Sequence, residues 1–274
     1  MKKIIVATDF SPAAFNAAVY AANMAMAINA DIVVLHVYGI PVVYSEVPTA
    51  VNAEKIREAA EINMTELKEK LKEKTGDKVQ ISMDIRMGTF YHELKVVCEY
   101  ILPYTVVMGS QGTTATQRLL FGSHAVFAIK HLSWPLITVP LHASFSAIKK
   151  IALACDLNKV VDNTPIDEIK MLVEDFHAEL HVLNTGKEKV FDPEIVFESG
   201  MLHEMLEDLN PVYDFVSSDN TDEGILKFAQ ENNIDLLLVL PKRHSFLEAL
   251  IHKSHSKHFV LHSHIPVMAL HQVH

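Results

Sequence analysis

Two tandem α/β domains, each a doubly wound, five-stranded, mostly parallel sheet with helices on both faces, are predicted by three observations. Strand-type apolar runs alternate with helical patterns along the chain, which implies right-handed crossovers and a parallel sheet covered on both sides. The pattern begins again near Lys149, where KKIALACDLN at 149–158 repeats KKIIVATDFS at 2–11. After the fourth strand, MGSQGTTATQRLLFGSH at 108–124 places glycines at a spacing that side-chain packing does not require.

Taken in order, Ile4 to Thr8 is a continuous β-rich run, as a buried parallel strand requires. Ser11-Pro12 opens a helix, with Ser at the N-cap and Pro at the first helical position, and the helix continues through alanine-rich Ala13 to Ile28. Asp31 to Val37 reads as a second strand, Asn52 to Thr75 as a long charged helix, and Val79 to Met87 as a third strand with partial alternation. Phe90 to Tyr100 is helical, Tyr104 to Met108 is the fourth strand, Ser123 to His131 is helical and Leu136 to Val139 closes the unit. In the second copy ELHVLN at 179–184 repeats IVVLHVYG, which sets His181-Val182 on His36-Val37. IPVMALH at 265–271 aligns with WPLITVP at 134–140 without a gap back to the fourth strand. The boundary falls near Leu141 to Ile148, giving domains 1–143 and 148–274.

The glycine segment reads as a phosphate cradle. Gly109 ends the strand, Gly112 follows after two residues, and Gly122 comes after nine more, directly before Ser123. A backbone that turns sharply and approaches a polyanion needs residues without Cβ, so that N–H groups can point at the phosphate oxygens. Ser123 stands where an N-cap belongs, and the helix behind it adds the positive end of its dipole. The structural alternative is an ordinary strand-to-helix loop with turn glycines.

This spacing of Gly109, Gly112 and Gly122-Ser123 resembles the ATP-binding motif of the universal stress protein family. KKIIVATDFS resembles the family's opening strand with its adenine-side aspartate, and Val33 to Val37 resembles its second strand. The resemblance covers nearly the whole chain as two copies. It implies that Asp9 and the backbone of Val37 face the adenine and ribose, that Ala7, Thr8 and Met108 line the base pocket, and that Gly112, Gly122 and Ser123 face the phosphates, with Gly109 at the strand end where the motif begins. The implied ligand is ATP or a related adenine nucleotide, with or without Mg²⁺. It also implies pairing of domains through the last strand, within one chain or between two. Gln111 departs from the histidine the family often has there. For Asp9 the alternative is a helix cap shared with Ser11, and both roles are compatible.

The second copy differs at these positions. Gly109 becomes Leu240, Gly112 becomes Arg243 and Gly122 becomes Lys253, while Ser123 keeps its hydroxyl as Ser254 and Asp9 its carboxylate as Asp156. Pro241 lacks the N–H that Ser110 has. The first kind of cradle cannot be built from these residues, so the second site is a degenerate one. Lys242, Arg243 and Lys253 are either a solvated basic loop or a holder for a different anion.

Composition narrows the classes. With 274 residues and 49% hydrophobic content the chain is long enough for two compact domains. No apolar run has the length of a membrane span, and Lys2-Lys3 leads into a strand with Asp9 rather than a signal core, so a cytoplasmic protein is expected. Residues 1–147 hold 13 basic and 13 acidic residues, whereas 148–274 hold 11 and 21, so the whole net charge of -10 lies in the second half. An acidic domain repels nucleic acid. Cys98 and Cys155 make no metal-type pair and read as packed thiols.

No Gly-Lys-Ser/Thr sequence opens a helix, and the loop offers no lysine for a γ-phosphate and no placed general base. Nucleotide binding is therefore expected rather than dedicated catalysis, with slow ATP hydrolysis or a nucleotide-independent scaffold as alternatives. The second half also holds 11 of 16 histidines. His255, His258 and His262 follow i, i+3, i+7 spacing beside His252, a pattern open to zinc, to a pH-responsive patch or to a plain polar helix face. Met24, Met26, Tyr100 and Phe127 lie in periodic segments and are expected in the core. Pro41 to Pro48 is either a lid near the nucleotide or an ordinary connection.

Overall fold

The computed structural model describes residues 1–39, 53–110, 124–155, 160–184, 193–216, 218, 220–241, 259 and 262–272. The first half contains β1 (Lys3–Ala7), α1 (Pro12–Ile28), β2 (Asp31–Tyr38), α2 (Ala53–Thr75), β3 (Ile81–Met87), α3 (Phe90–Ile101), β4 (Thr105–Gly109), helix α4 at 124–131 and β5 (Leu136–Val139). The second half contains β6 (Lys150–Cys155), α5 (Val160–Asn163), α6 (Ile166–Phe176), β7 (Glu179–Asn184), α7 (Pro193–Leu206), β8 (Val212–Phe215), α8 (Thr221–Glu231), β9 (Leu236–Val239) and β10 (Val267–Ala269).

All ten strands form one sheet in the order β3-β2-β1-β4-β5-β10-β9-β6-β7-β8. Every pairing within a half is parallel, and the halves meet through an antiparallel β5·β10 ladder that sets Met268 opposite Ile137. Strand residues alternate between two cores, as a sheet covered on both faces demands. Ile4 and Val6 lie with α1, α2, α6 and α7 on one face, and Ile5 and Ala7 with α3, α4 and α8 on the other. Each core thus draws on both halves of the chain. Burying a side chain such as Ile137 contributes about 1.5–3 kcal/mol, so cores shared by both halves add to the short β5·β10 ladder in holding the joint.

The connection between the halves is anchored as well. Asn16 on α1 donates through Nδ2 to the carbonyls of Pro140 (2.9 Å) and Ala143 (2.8 Å). Phe145 inserts between Tyr20 on α1 and Phe176 on α6, with ring centroids 5.2 and 6.3 Å away. Lys2 pairs with Asp175 on α6 and lies 5.4 Å over the Tyr104 ring. Burial, and then the charge of Asp175, pushes the Tyr104 phenol up.

The helices form where the sequence places them, and α1 shows why. Ser11 has extended backbone and its Oγ accepts the Ala14 N–H at 3.1 Å, Pro12 occupies the first turn, and Asn29 ends the helix in the left-handed region. Removing the cap by Ser11→Ala is expected to lower stability by about 1 kcal/mol. An unchanged midpoint in urea denaturation would contradict that role.

Two expectations need correction. Sequence similarity sets His181 on His36, but the ladders do not. Ala7 pairs with Leu35 in the first half and Ala154 with Leu183 in the second, so His181 takes the place of Val33 and Asn184 that of His36. The left-handed C-caps Asn29 and His177, each two residues before its strand, fix the same offset. His181 is buried in the sheet and its Nδ1 meets Asp214 Oδ2 at 2.7 Å. Tyr100 and Phe127 are not core: they are 87% and 46% exposed, and Phe127 instead packs on Tyr91 and His131 on the outer surface. The second half also does not copy α1 as one helix. Thr164-Pro165 divides the equivalent segment into α5 and α6, because proline has no N–H to continue the ladder.

Among the described residues no helix is long and apolar enough to cross a membrane. Cys98 and Cys155 are both buried and neither forms a disulfide. Burial, with the neighbouring Glu99 adding to it, pushes the Cys98 thiol up to about 12, so it stays protonated and unreactive at neutral pH.

Candidate functional site at the carboxyl ends of the central strands

In open parallel sheets the crevice for a ligand opens at the carboxyl ends of the strands, where the strand order reverses. Here that point lies between β1 and β4, since β1 is followed outward by β2 and β3 while β4 leads to β5. Ala7 is the last residue of β1, Val37 lies near the end of β2, and Met108 and Gly109 end β4. The side chains of Ala7, Val37 and Met108 all belong to the core face under α3 and α4, Ala7 and Met108 buried and Val37 half-buried. Six of the nine residues implicated by sequence therefore share one rim. Gly112, Gly122 and Ser123 lie outside the described residues, as do Gln111, Asp156, Lys242, Arg243, Lys253, Ser254, His252, His255, His258 and the segment 41–48. His262 is exposed, and no metal-holding group of His, Cys, Asp or Glu occurs among the described residues.

The turn from β1 into α1 is held by its own side chains. The Thr8 N–H donates to the Leu35 carbonyl (2.9 Å), extending the ladder one residue past the strand. Thr8 Oγ1 then accepts from the Phe10 N–H, and Asp9 Oδ1 from the Ser11 N–H, each at 3.0 Å. With Ser11 capping Ala14, consecutive donors at the helix entry are taken by local acceptors. Asp9 is half-buried and does perform the capping job weighed for it from sequence. A carboxylate has further acceptor capacity, so this bond is compatible with a ligand contact.

Two residues at this rim escape sequence reasoning. Phe10 adopts φ 61°, a left-handed conformation uncommon without glycine, and its ring lies 4.4 Å from that of His36. His36 Nδ1 sits 2.8 Å from the Thr8 carbonyl, and because a carbonyl only accepts, Nδ1 carries the proton. The signal for His36 is a polar residue at the end of an apolar strand beside Val37. For Phe10 there is none, since nothing in its residue type announces a positive φ.

Gly109 has a packing reason to be glycine. A Cβ there would lie 2.9 Å from both the carbonyl carbon and oxygen of Ala13 and 3.1 Å from the Ala14 nitrogen. The first turn of α1 thus rests directly on the end of β4. Beyond it the Ser110 N–H donates to the Val139 carbonyl (3.0 Å), and Ser110 is buried. The chain returns at α4, where exposed His124 meets the edge of the Phe90 ring at 5.2 Å and Ala125, Ala128 and Ile129 enter the core.

A family model, that of the universal stress protein family, matches residues 1–140 and again 147–271. The chain belongs to that family, twice over. Its curated relatives include universal stress protein MJ0531 of Methanocaldococcus jannaschii, 28% identical over 144 residues that span 50% of this chain and 81% of that protein. Among solved structures, a universal stress protein from Archaeoglobus fulgidus aligns over 98% of this chain and 96% of its own, with a TM-score of 0.74 and 17% identity. The two-domain universal stress fold is therefore shared along the full length. A family protein from Arabidopsis thaliana, solved with AMP bound, aligns with 51% of this chain and 92% of its own, at a TM-score of 0.35 and 16% identity.

Proposed function

We propose that the first domain, residues 1–143, binds ATP or a related adenine nucleotide at the β1–β4 crevice, and that the protein uses this occupancy as a signal in a cytoplasmic stress response. The observation that carries the reading is where the glycine motif begins. Its first glycine ends β4 at the point of strand-order reversal, and the segment that holds the others joins that point to α4. A loop leaving this position is the one that can lay backbone N–H groups against a phosphate chain. At the entry to α1 the Ser11 and Ala14 N–H groups are already taken by Asp9 and Ser11 and Pro12 has none, which favours this segment over α1 for the phosphates.

In this reading Gly112, Gly122 and Ser123 hold the phosphates, Asp9 and the backbone of Val37 take the ribose and base, and Ala7, Thr8 and Met108 line the base side. Gly109 contributes by letting α1 close on β4. The second domain, residues 148–274, is a structural partner whose sequence lacks the three glycines, with Leu240, Arg243 and Lys253 in their places. Leu240 at the Gly109 position is half-buried against the core, and Pro241 follows it without an N–H.

The test is to purify the protein without added nucleotide, denature it and quantify the small molecules released. About one adenine nucleotide per chain is expected, with a higher melting temperature when ATP is added to emptied protein. Absence of both results would leave a nucleotide-independent scaffold.

A further inference from the structure

We propose that β3, the outer edge of the sheet in the first half, pairs antiparallel with β3 of a second copy of this chain about a two-fold axis at Ile85. The proposal goes beyond nucleotide binding and does not depend on it.

Among the described residues β3 has a strand neighbour on one side only, β2. The Gln80 carbonyl accepts from the Ile32 N–H (2.9 Å), and the Gly88 N–H donates to the Tyr38 carbonyl (3.0 Å). Even-numbered residues therefore direct their backbone groups at β2. Since this alternates along a pleated strand, the N–H and C=O groups of Ile81, Met83, Ile85 and Met87 face outward. With the axis at Ile85, Ile85 exchanges both backbone hydrogen bonds with its symmetry mate, and Met83 does so with Met87 of the other copy. Asp84 and Arg86 then fall in the non-hydrogen-bonded pairs, where facing side chains come closest.

The charges select this register. Asp84 faces Arg86 of the other copy, and Arg86 faces Asp84. Within one chain Arg86 Nε already lies 3.0 Å from Asp84 Oδ2, and Arg86 Nη1 lies 3.6 Å from Glu93 Oε2, so the groups are held at the edge in suitable orientation. An axis at Asp84 or at Arg86 would instead set like charges against each other. Edge strands are ordinarily guarded by charges that repel a copy, whereas one acid and one base placed evenly about Ile85 attract it. Met83 and Met87, 41% and 57% exposed, add apolar surface that the pairing would cover.

The opposite edge, β8, does not fit in the same way. The Val216 N–H donates to the Asn184 carbonyl, so Tyr213 and Phe215 carry the outward backbone groups there. A two-fold at Asp214 opposes two carboxylates, and one at Tyr213 sets Phe215 opposite Pro211, which has no N–H. The chain already extends its sheet by an antiparallel pairing of edge strands, β5 with β10.

Sedimentation velocity on the full chain at micromolar concentration tests the proposal. The wild-type protein is expected to dimerise, and Arg86→Asp or Asp84→Arg alone to weaken the dimer roughly 30-fold or more. An equimolar mixture of the two variants is expected to recover dimers, because each supplies the charges the other lacks. A separate arm leaves the charges intact: Met83→Cys mixed with Met87→Cys should give an intermolecular disulfide under mild oxidation in preference to either variant alone. A monomeric wild-type protein overturns the proposal and leaves the edge to a strand from a different protein. So does a dimer indifferent to both charge reversals, or one whose cysteines show no preference for the mixed pair.

Discussion

Gly112→Arg, which writes the residue of the second half into the first, is expected to abolish tight nucleotide binding while leaving the fold intact. The argument rests on what a phosphate cradle is made of. Backbone N–H groups reach phosphate oxygens only where no side chain stands between them, and each hydrogen bond to a charged acceptor is worth about 1.5–3 kcal/mol. Losing one or two such bonds corresponds to roughly a 100-fold loss of affinity. Adding an arginine does not simply replace them, because its guanidinium is a donor on a flexible stem rather than a fixed ring of amides. Isothermal titration with ATP and an analogue measures the affinity, and circular dichroism with a urea melt checks the fold. Binding equal to wild type would show that the glycines shape a loop and nothing more.

Gly109→Ala is expected to act on stability, by about 2–3 kcal/mol. The added Cβ would press on the carbonyl carbon and oxygen of Ala13 at 2.9 Å, atoms of the α1 backbone that cannot rotate away. Relief requires α1 to lift from β4, and α1 carries Ala17, Ala21 and Met24 of the shared core. The second half is built differently at the equivalent place. With Leu240 at this position, the segment equivalent to α1 is interrupted at Thr164-Pro165, and a short α5 is followed by α6. Val160 at the head of α5 donates its N–H to Glu198 Oε2 on α7 at 2.7 Å, so its cap comes from another helix. A urea midpoint unchanged by Gly109→Ala would remove this account. The two substitutions separate the roles within one motif: Gly112→Arg moves affinity with little stability change, and Gly109→Ala moves stability first.

Much of this was legible in the chain. Ser11-Pro12 announced the start of α1, and the apolar runs at Ile4, Asp31, Leu136 and Val267 announced strands, because burial on two faces demands continuous β-type hydrophobicity. The repeat of KKIIVATDFS gave the duplication, and the glycine spacing gave the family and the rim to inspect. These signals are local: a cap, a run or a spacing is complete within a few residues.

Only the tertiary structure decided the rest. The short matching strings around His36 and His181 misled because strand similarity without its ladder does not fix register, whereas the hydrogen bonds to β1 and β6 do. Tyr100 and Phe127 share helical periodicity with buried neighbours, yet which stripe of a helix faces the sheet depends on where that helix is set down. The sequence marked Gly109 as special, but the reason, Ala13 lying against it, joins residues far apart in the chain. The left-handed Phe10 and the His36 bond to Thr8 arise the same way, from elements that meet only when the sheet is assembled. The sequence alone thus determined the elements of the first half, their repetition as strands in the second, and the family. Assembly decided register, outward faces and close contacts, because those energies belong to pairs of segments rather than to any one of them.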